Sequence, residues 1–347
     1  MFVSSRWQGG SIALSRRRFV TAAAATALVS IHPARARQDA SPVADSTADG
    51  AWIFTDDAGV TIEREQRPER IVAYLPLAAS LWEFGIRPVA VYGTTRRSDG
   101  SPEVYAGEVD LDAVESLGEV YGELDLEGLV EAQPDLIVND MWNDPPDVWG
   151  LAPETVQQVT QIASIANVLF VERPAPETIA TIETLAAALG AVLEAPEIVA
   201  AREAFQAASD DLRAAIAEKP GLTVLFVSGT PDGSFWVASP EEFSDLMYFQ
   251  QLGLDIVVPE TITAEWWEEL SWEQAGKYPA DLILVDARSG SSSGEQLMAV
   301  PTFAALPAAA AGQLGSWQTE YVPSYAAFTA VMQDLAATIR GAEPDIV

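Results

Sequence analysis

Glu127 and Glu273 stand at matching points of two similar stretches, LDLEGLVEAQPDLIV at 124–138 and LSWEQAGKYPADLILVD at 270–286. Each lies two residues after a helix-capping residue, Asp125 or Ser271. Each lies eight residues before an acid, Asp135 or Asp281, that opens an apolar strand. A carboxylate in the first turn of a helix is favoured by the free N–H groups and by the helix dipole. Exposed at a tip, it can take a guanidinium in bidentate fashion. The plainer reading is that each Glu only steadies its own helix, an effect of ~0.3–1 kcal/mol. The mirrored spacing favours a role shared by the two halves beyond that. Acid–base catalysis by the pair would need both carboxyls across one cleft, roughly 5–10 Å apart. The repeat predicts separate tips instead.

A second set of residues suits recognition of a bulky, oxygen-rich ligand. Arg96 and Arg97 follow the apolar run PVAVY, and Trp142 follows DLIVND. Trp236 stands in SFWVAS, Trp266 and Trp267 in TAEWWEEL, Arg288 follows LILVDA, and Tyr325 lies near the C-terminus. Ligands of open α/β sheets gather beyond the carboxyl ends of strands. Aromatic walls bury an organic body, and guanidinium groups hold its oxygens. Some of these residues have plainer roles: Trp236 lies in an alternating stretch that suits a core strand, and Arg97 suits a solvated surface. Trp266, Trp267 and Arg96 are the leading candidates.

Composition excludes several chemistries. The chain has no Cys, and its one His is His32. Thiolate sites, disulfides and the His-rich sites of zinc or manganese binders are therefore absent. Haem ligation would fall to Tyr or Met, while cobalamin needs no protein ligand and stays open. Free-iron capture by tyrosines is a further reading, but the Arg and Trp loops favour a chelate. An exported hydrolase built on carboxylates would lack imidazole for proton transfer. A fold that kept its lobes and lost its pocket is the remaining alternative. With 51 acids against 19 bases, the chain repels nucleic acid and anionic lipid.

The elements that position these residues alternate strand and helix. A hairpin over 52–64 turns at Asp57-Ala58-Gly59. Strands are expected at RIVAYL, PVAVYG, 135–139 and NVLFVE (167–172), with helices at 77–84, from Glu127 onward, and at PETIATIETLAAALG. The second half repeats the grammar: strand LTVLFVSG, a helix capped by Ser239 and closed by Gly253, strand LDIVV, the Glu273 helix, strand 281–286, and a last helix from Ser324 to Arg340. Between the halves, residues 195–219 carry one apolar stripe at helical spacing, a rod of roughly 30–35 Å. The expected organisation is an α/β protein of two Rossmann-like lobes, 51–194 and 220–347, joined by this long rigid helix, with a cleft between them.

The N-terminus reads as an address. SRRRFV at 15–20, an Ala-rich apolar stretch and Ala34-Arg35-Ala36 predict a twin-arginine export signal over 1–36. An uncleaved anchor is the alternative. Residues 37–50 read as a flexible spacer.

Taken together, RPERIVAY at 67–74, EFGIRPVAVYG at 83–93, the two glutamate stretches and PTFAALPAAAAGQL at 301–314 resemble the substrate-binding proteins of ABC importers for ferric siderophores, haem or cobalamin. The likeness spans about 51–341. It implies capture of an Fe(III)-siderophore without an intrinsic cofactor, by a monomer in the periplasm or at the outer face of the cytoplasmic membrane. It also implies delivery to a permease dimer with its ATPase subunits, with Glu127 and Glu273 as the docking acids. In hydroxamate binders of this family, an Arg in the loop matching 94–97 and aromatics in the loop matching 264–268 line the pocket.

Overall fold

In the computed structural model, residues 44–46, 51–119, 124–142, 151–264, 266–288 and 290–347 are described. The twin-arginine signal and nearly all of the spacer lie outside them. All elements below belong to one compact unit, Ala40–Val347.

β1 (Ala44–Ser46), β2 (Trp52–Thr55) and β3 (Thr61–Arg64) form a small antiparallel sheet turned at Gly59, whose φ of 74° suits glycine. The first lobe follows: β4 (Ile71–Tyr74), α1 (Leu75–Glu83), β5 (Ala90–Tyr92), β6 (Glu115–Ser116), α2 (Leu126–Ala132), β7 (Leu136–Met141), α3 (Pro153–Val159), β8 (Ser164–Leu169) and α4 (Ala175–Ala188). Its strands lie in the order β6-β5-β4-β7-β8, all parallel. Short apolar runs buried on both faces explain the parallel pairing.

α5 (Pro196–Ala217) leads to the second lobe: β9 (Thr223–Gly229), β10 (Phe235–Ala238), α6 (Ser244–Gln251), β11 (Asp255–Ile256), β12 (Trp267–Leu270), β13 (Leu282–Asp286), α7 (Gly294–Leu297), α8 (Pro301–Ala304), α9 (Pro307–Ala310), β14 (Leu314–Trp317) and α10 (Tyr325–Gly341). The order is β12-β10-β9-β13-β14, with β11 also paired to β9. β10 is antiparallel to both its neighbours, so this sheet is mixed and the repeat is incomplete.

The acids that open β7 and β13 serve as clasps. Asp135 accepts the backbone N–H groups of Glu69 and Arg70 at 3.0 and 2.9 Å, and Arg64 at 2.9 Å. Asp281 accepts Thr223 N and Oγ1, both at 2.9 Å, and Ile346 N at 2.8 Å. Each pins the start of the neighbouring central strand.

Three elements differ from expectation. The strand expected at 167–172 runs from Ser164 to Leu169, because it pairs with β7 from Leu136↔Ser164 to Met141↔Leu169; within it Asn167 bonds Asp56 through its N and Nδ2 at 3.0 and 3.1 Å. The helix expected from Ser239 is interrupted: Pro240–Glu242 is a 3-10 turn, Phe243 is extended, and α6 starts at Ser244. The Phe243 ring needs that kink to pack on Trp267 and Trp317, 5.1 and 5.0 Å away. The segment Trp272–Lys277 around Glu273 is a 3-10 helix.

α5 has 22 residues and spans about 33 Å. It is no bare strut. Ile198 joins the core of the first lobe, while Phe205, Ala208, Leu212 and Ala215 join that of the second. α10 lies against it with Phe328, Met332, Leu335 and Ile339 in the same core, and Arg340 pairs with Asp211 at 2.7 Å. The start of α10 also reaches the first lobe: Ser324 Oγ donates to Glu83 at 2.5 Å and Tyr325 OH to Glu183 at 2.8 Å.

Candidate functional site

The strand ends of both sheets converge on one cavity. From the first lobe come Tyr74 and Pro76 after β4, Asp140 and Trp142 at the end of β7, Phe170 after β8, and Tyr105 from a nearby turn. From the second come Phe243, Ser244 and Asp245 around the start of α6, Trp266 before β12, Arg288 after β13, and Thr319, Glu320 and Tyr321 after β14. Counting its open mouth, the space is about 770 Å³. Most of these residues follow carboxyl ends of strands, as the topology of α/β sheets requires.

Its walls are aromatic. Trp142 stacks on Phe170 at 5.8 Å and meets Trp266 of the other lobe at 5.3 Å. Beyond Trp266, the neighbouring Trp267 turns away into the core.

Its charged groups are mostly acids. Asp140 is 2% exposed; its Oδ2 accepts Trp142 Nε1 at 2.9 Å, while Oδ1 has no donor among the described residues. Asp245 is 1% exposed and accepts Trp317 Nε1 at 2.7 Å. Burial pushes both carboxyls up to about 7. Asp286, just below the cavity, is fully satisfied by Ser228, Ser291, Thr319 and Arg288, whose Nε lies 2.7 Å away. That pair fixes Arg288, whose guanidinium sits 5.4 Å from the Trp267 ring. Burial, then nearby carboxylates, raises the phenols of Tyr74 and Tyr321 above the usual range, so both are hydroxyl donors at neutral pH. No cluster of His, Cys, Asp and Glu fit to hold a bare metal ion occurs among the described residues.

Of the sequence candidates, Trp142, Trp266 and Arg288 line the cavity. Five others do not. Arg96 pairs with Asp112 at 2.8 Å on the exposed surface, and Arg97 lies 3.4 Å from Glu103. Trp236, half-buried on β10, and Trp267, 6% exposed, pack in the second lobe's core. Tyr325 packs edge-on against Phe205 at 5.4 Å, at the seam between α5 and α10. Tyr74, Asp140, Asp245 and Glu320 were not singled out from sequence. A signal existed for Asp140: an acid within an apolar strand that continues past it to Met141.

Glu127 and Glu273 are exposed in the first turns of their helices. Asp125 caps the first by accepting Glu127 N and Gly128 N at 3.0 Å. Asp125 N in turn bonds Leu117 O beyond β6, and Trp272 Nε1 bonds Thr230 O beyond β9. Both glutamates therefore stand on the same edge of their sheets as the cavity. The backbone N–H of Glu273 and the Ser271 hydroxyl hold the Glu273 carboxyl below its ordinary range.

Solved structures carry the same architecture. DesE, a ferric-siderophore receptor protein from Streptomyces coelicolor, is 33% identical, covering 84% of this chain and 99% of that one, with a TM-score of 0.79. The siderophore periplasmic binding protein from the fuscachelin gene cluster of Thermobifida fusca is 21% identical over 79% of this chain and 97% of its own, with a TM-score of 0.57. FhuD from Vibrio cholerae, solved with Fe3+-Desferal, is 18% identical over 78% and 98%, with a TM-score of 0.54. No curated protein matches the chain by sequence. The family model described as periplasmic binding protein matches residues 79–321, a span that runs from α1 to the loop after β14 and holds every cavity residue beyond Pro76. The chain is a member of the periplasmic binding protein family.

Proposed function

We propose that the protein captures a ferric siderophore in the cleft between its lobes and delivers it to an ABC importer for iron uptake. The observation that carries this is the likeness to a ferric-siderophore receptor over nearly all of that receptor's length. The cavity supports it independently. Trp142, Phe170, Trp266 and Tyr321 offer apolar area to an organic scaffold, and Arg288 and the phenols offer donors to chelating oxygens. The protein's part is to bind, orient and release an intact chelate, with the iron already held by its own ligand.

The twin-arginine stretch supports export, with the loaded protein working on the outer side of the cytoplasmic membrane. Among the described residues, no helix is long and apolar enough to cross a membrane. Glu127 and Glu273 are the acids we assign to docking on arginines of the permease. Titration of tryptophan fluorescence with ferric hydroxamates, catecholates, citrate, haem and cobalamin tests the reading. Saturable quenching by a ferric siderophore is expected. Quenching by haem or cobalamin alone, or by none of the set, would reject it.

A further inference from the structure

The charge of the cleft bears on which chelates it takes. Many ferric chelates are anions, since catecholate and carboxylate donors outnumber the charge of the iron. A cleft for such a cargo needs a surplus of cations. This one has no such surplus. Among the described residues that line it, Arg288 is the single cation beside Asp140, Asp245 and Glu320, and it is already paired with Asp286 at 2.7 Å.

Asp140 makes the point specific. It lines the cavity, is 2% exposed, and spends only one oxygen on the Trp142 indole. Its Oδ1 meets no donor, and no arginine or lysine among the described residues pairs with it. A buried carboxylate oxygen without a donor is costly unless something else supplies one. An ammonium group fits: it is compact, carries three N–H donors and brings the missing positive charge. The aromatic surroundings of Trp142, Phe170 and Trp266 suit the alkyl stem that would carry it.

Resting on the siderophore reading above, we propose that the cleft selects ferric chelates bearing a cationic amine, with Asp140 as the acceptor that recognises the ammonium, and that it disfavours chelates of net negative charge.

The test compares Fe3+-Desferal, a linear tris-hydroxamate ending in a primary amine, with the same complex N-acetylated at that amine. Both are titrated by tryptophan quenching at neutral pH. The amine form is expected to bind about tenfold more tightly, the worth of one charge-assisted hydrogen bond. Asp140→Asn keeps an acceptor for the Trp142 indole and should shrink the difference to within about threefold, mainly by weakening the amine form. Equal binding of the two forms to the unaltered protein overturns the proposal without recourse to any variant. So does an Asp140→Asn protein that loses both forms equally. Preference for ferric citrate or an anionic ferric catecholate over both also overturns it, while leaving siderophore capture standing. Failure of every ferric chelate to bind removes capture itself.

Discussion

Asp140 and Asp245 keep their protons to a far higher pH than carboxyls in water, because burial outweighs the hydrogen bonds they accept, chiefly from the indoles of Trp142 and Trp317. Between about pH 4 and 7 the folded chain holds protons there that the unfolded chain has released. Stability from these two groups therefore falls as pH rises through that window, and the penalty is complete above 7. Asp245→Asn, which preserves an acceptor for Trp317, should raise the melting temperature by a few degrees at pH 8, roughly 1–2 kcal/mol, and change it little at pH 4. Thermal unfolding followed by circular dichroism at both values checks this; an equal shift at the two would show that ionisation is not the cause. At this scale the sequence was half legible. Trp142 and Arg288 reach the cavity because each directly follows a strand that ends there. Arg96 and Arg97 also follow a strand, but a short loop folds back through the Arg96–Pro102 bridge and gives them Asp112 and Glu103 as partners. Nothing in residue type or spacing announces that return. Asp245 was hidden differently: its stretch reads as an ordinary capped helix, and the kink at Phe243 that buries it depends on rings from Trp267 and Trp317.

Among the elements, the two glutamate–aspartate units were legible as units, because caps, turns and apolar runs are local signals. The division of labour inside them was not. Asp135 and Asp281 clasp backbone N–H groups 66 and 58 residues away in the chain. Burial opposes ionisation of Asp281, but the N–H of Thr223, that of Ile346 and the Thr223 hydroxyl together pull its carboxyl below the ordinary range. Its contribution is thus present above about pH 4 and lost as pH falls through the lowered value. Asp281→Ala should cost about 2–4 kcal/mol at pH 7, as it strands several N–H donors at the foot of β9. The cost should shrink markedly at pH 2–3. Urea titrations at the two pH values measure it, and an undiminished cost in acid would mean that packing dominates. The mixed character of the second sheet escaped sequence reading for a related reason. β10 and β12 are four residues each, and their pairing is fixed by partners about 30 residues apart.

On the scale of the whole molecule, both sheets end on one edge, and that edge carries the cavity and the exposed Glu127 and Glu273 together. On the proposed function, a transporter approaching it would meet cargo and both glutamates on the same face. Glu127→Ala combined with Glu273→Ala should abolish iron uptake in cells while chelate affinity and melting temperature stay within error, since both side chains are exposed and neither lines the cavity. Uptake of a radioactive ferric chelate, set beside binding by the purified variant, checks it; undiminished uptake would return the two acids to their modest role of steadying helix ends.

The bracing of α5 by α10 has its own consequence. α5 is anchored in the cores of both lobes, and Glu83 and Glu183 of the first lobe hold the start of α10. A carrier so trussed has little swing with which to announce that it is full. On the proposed function, the gatekeeper it visits would tell laden from empty by touching the passenger through the doorway.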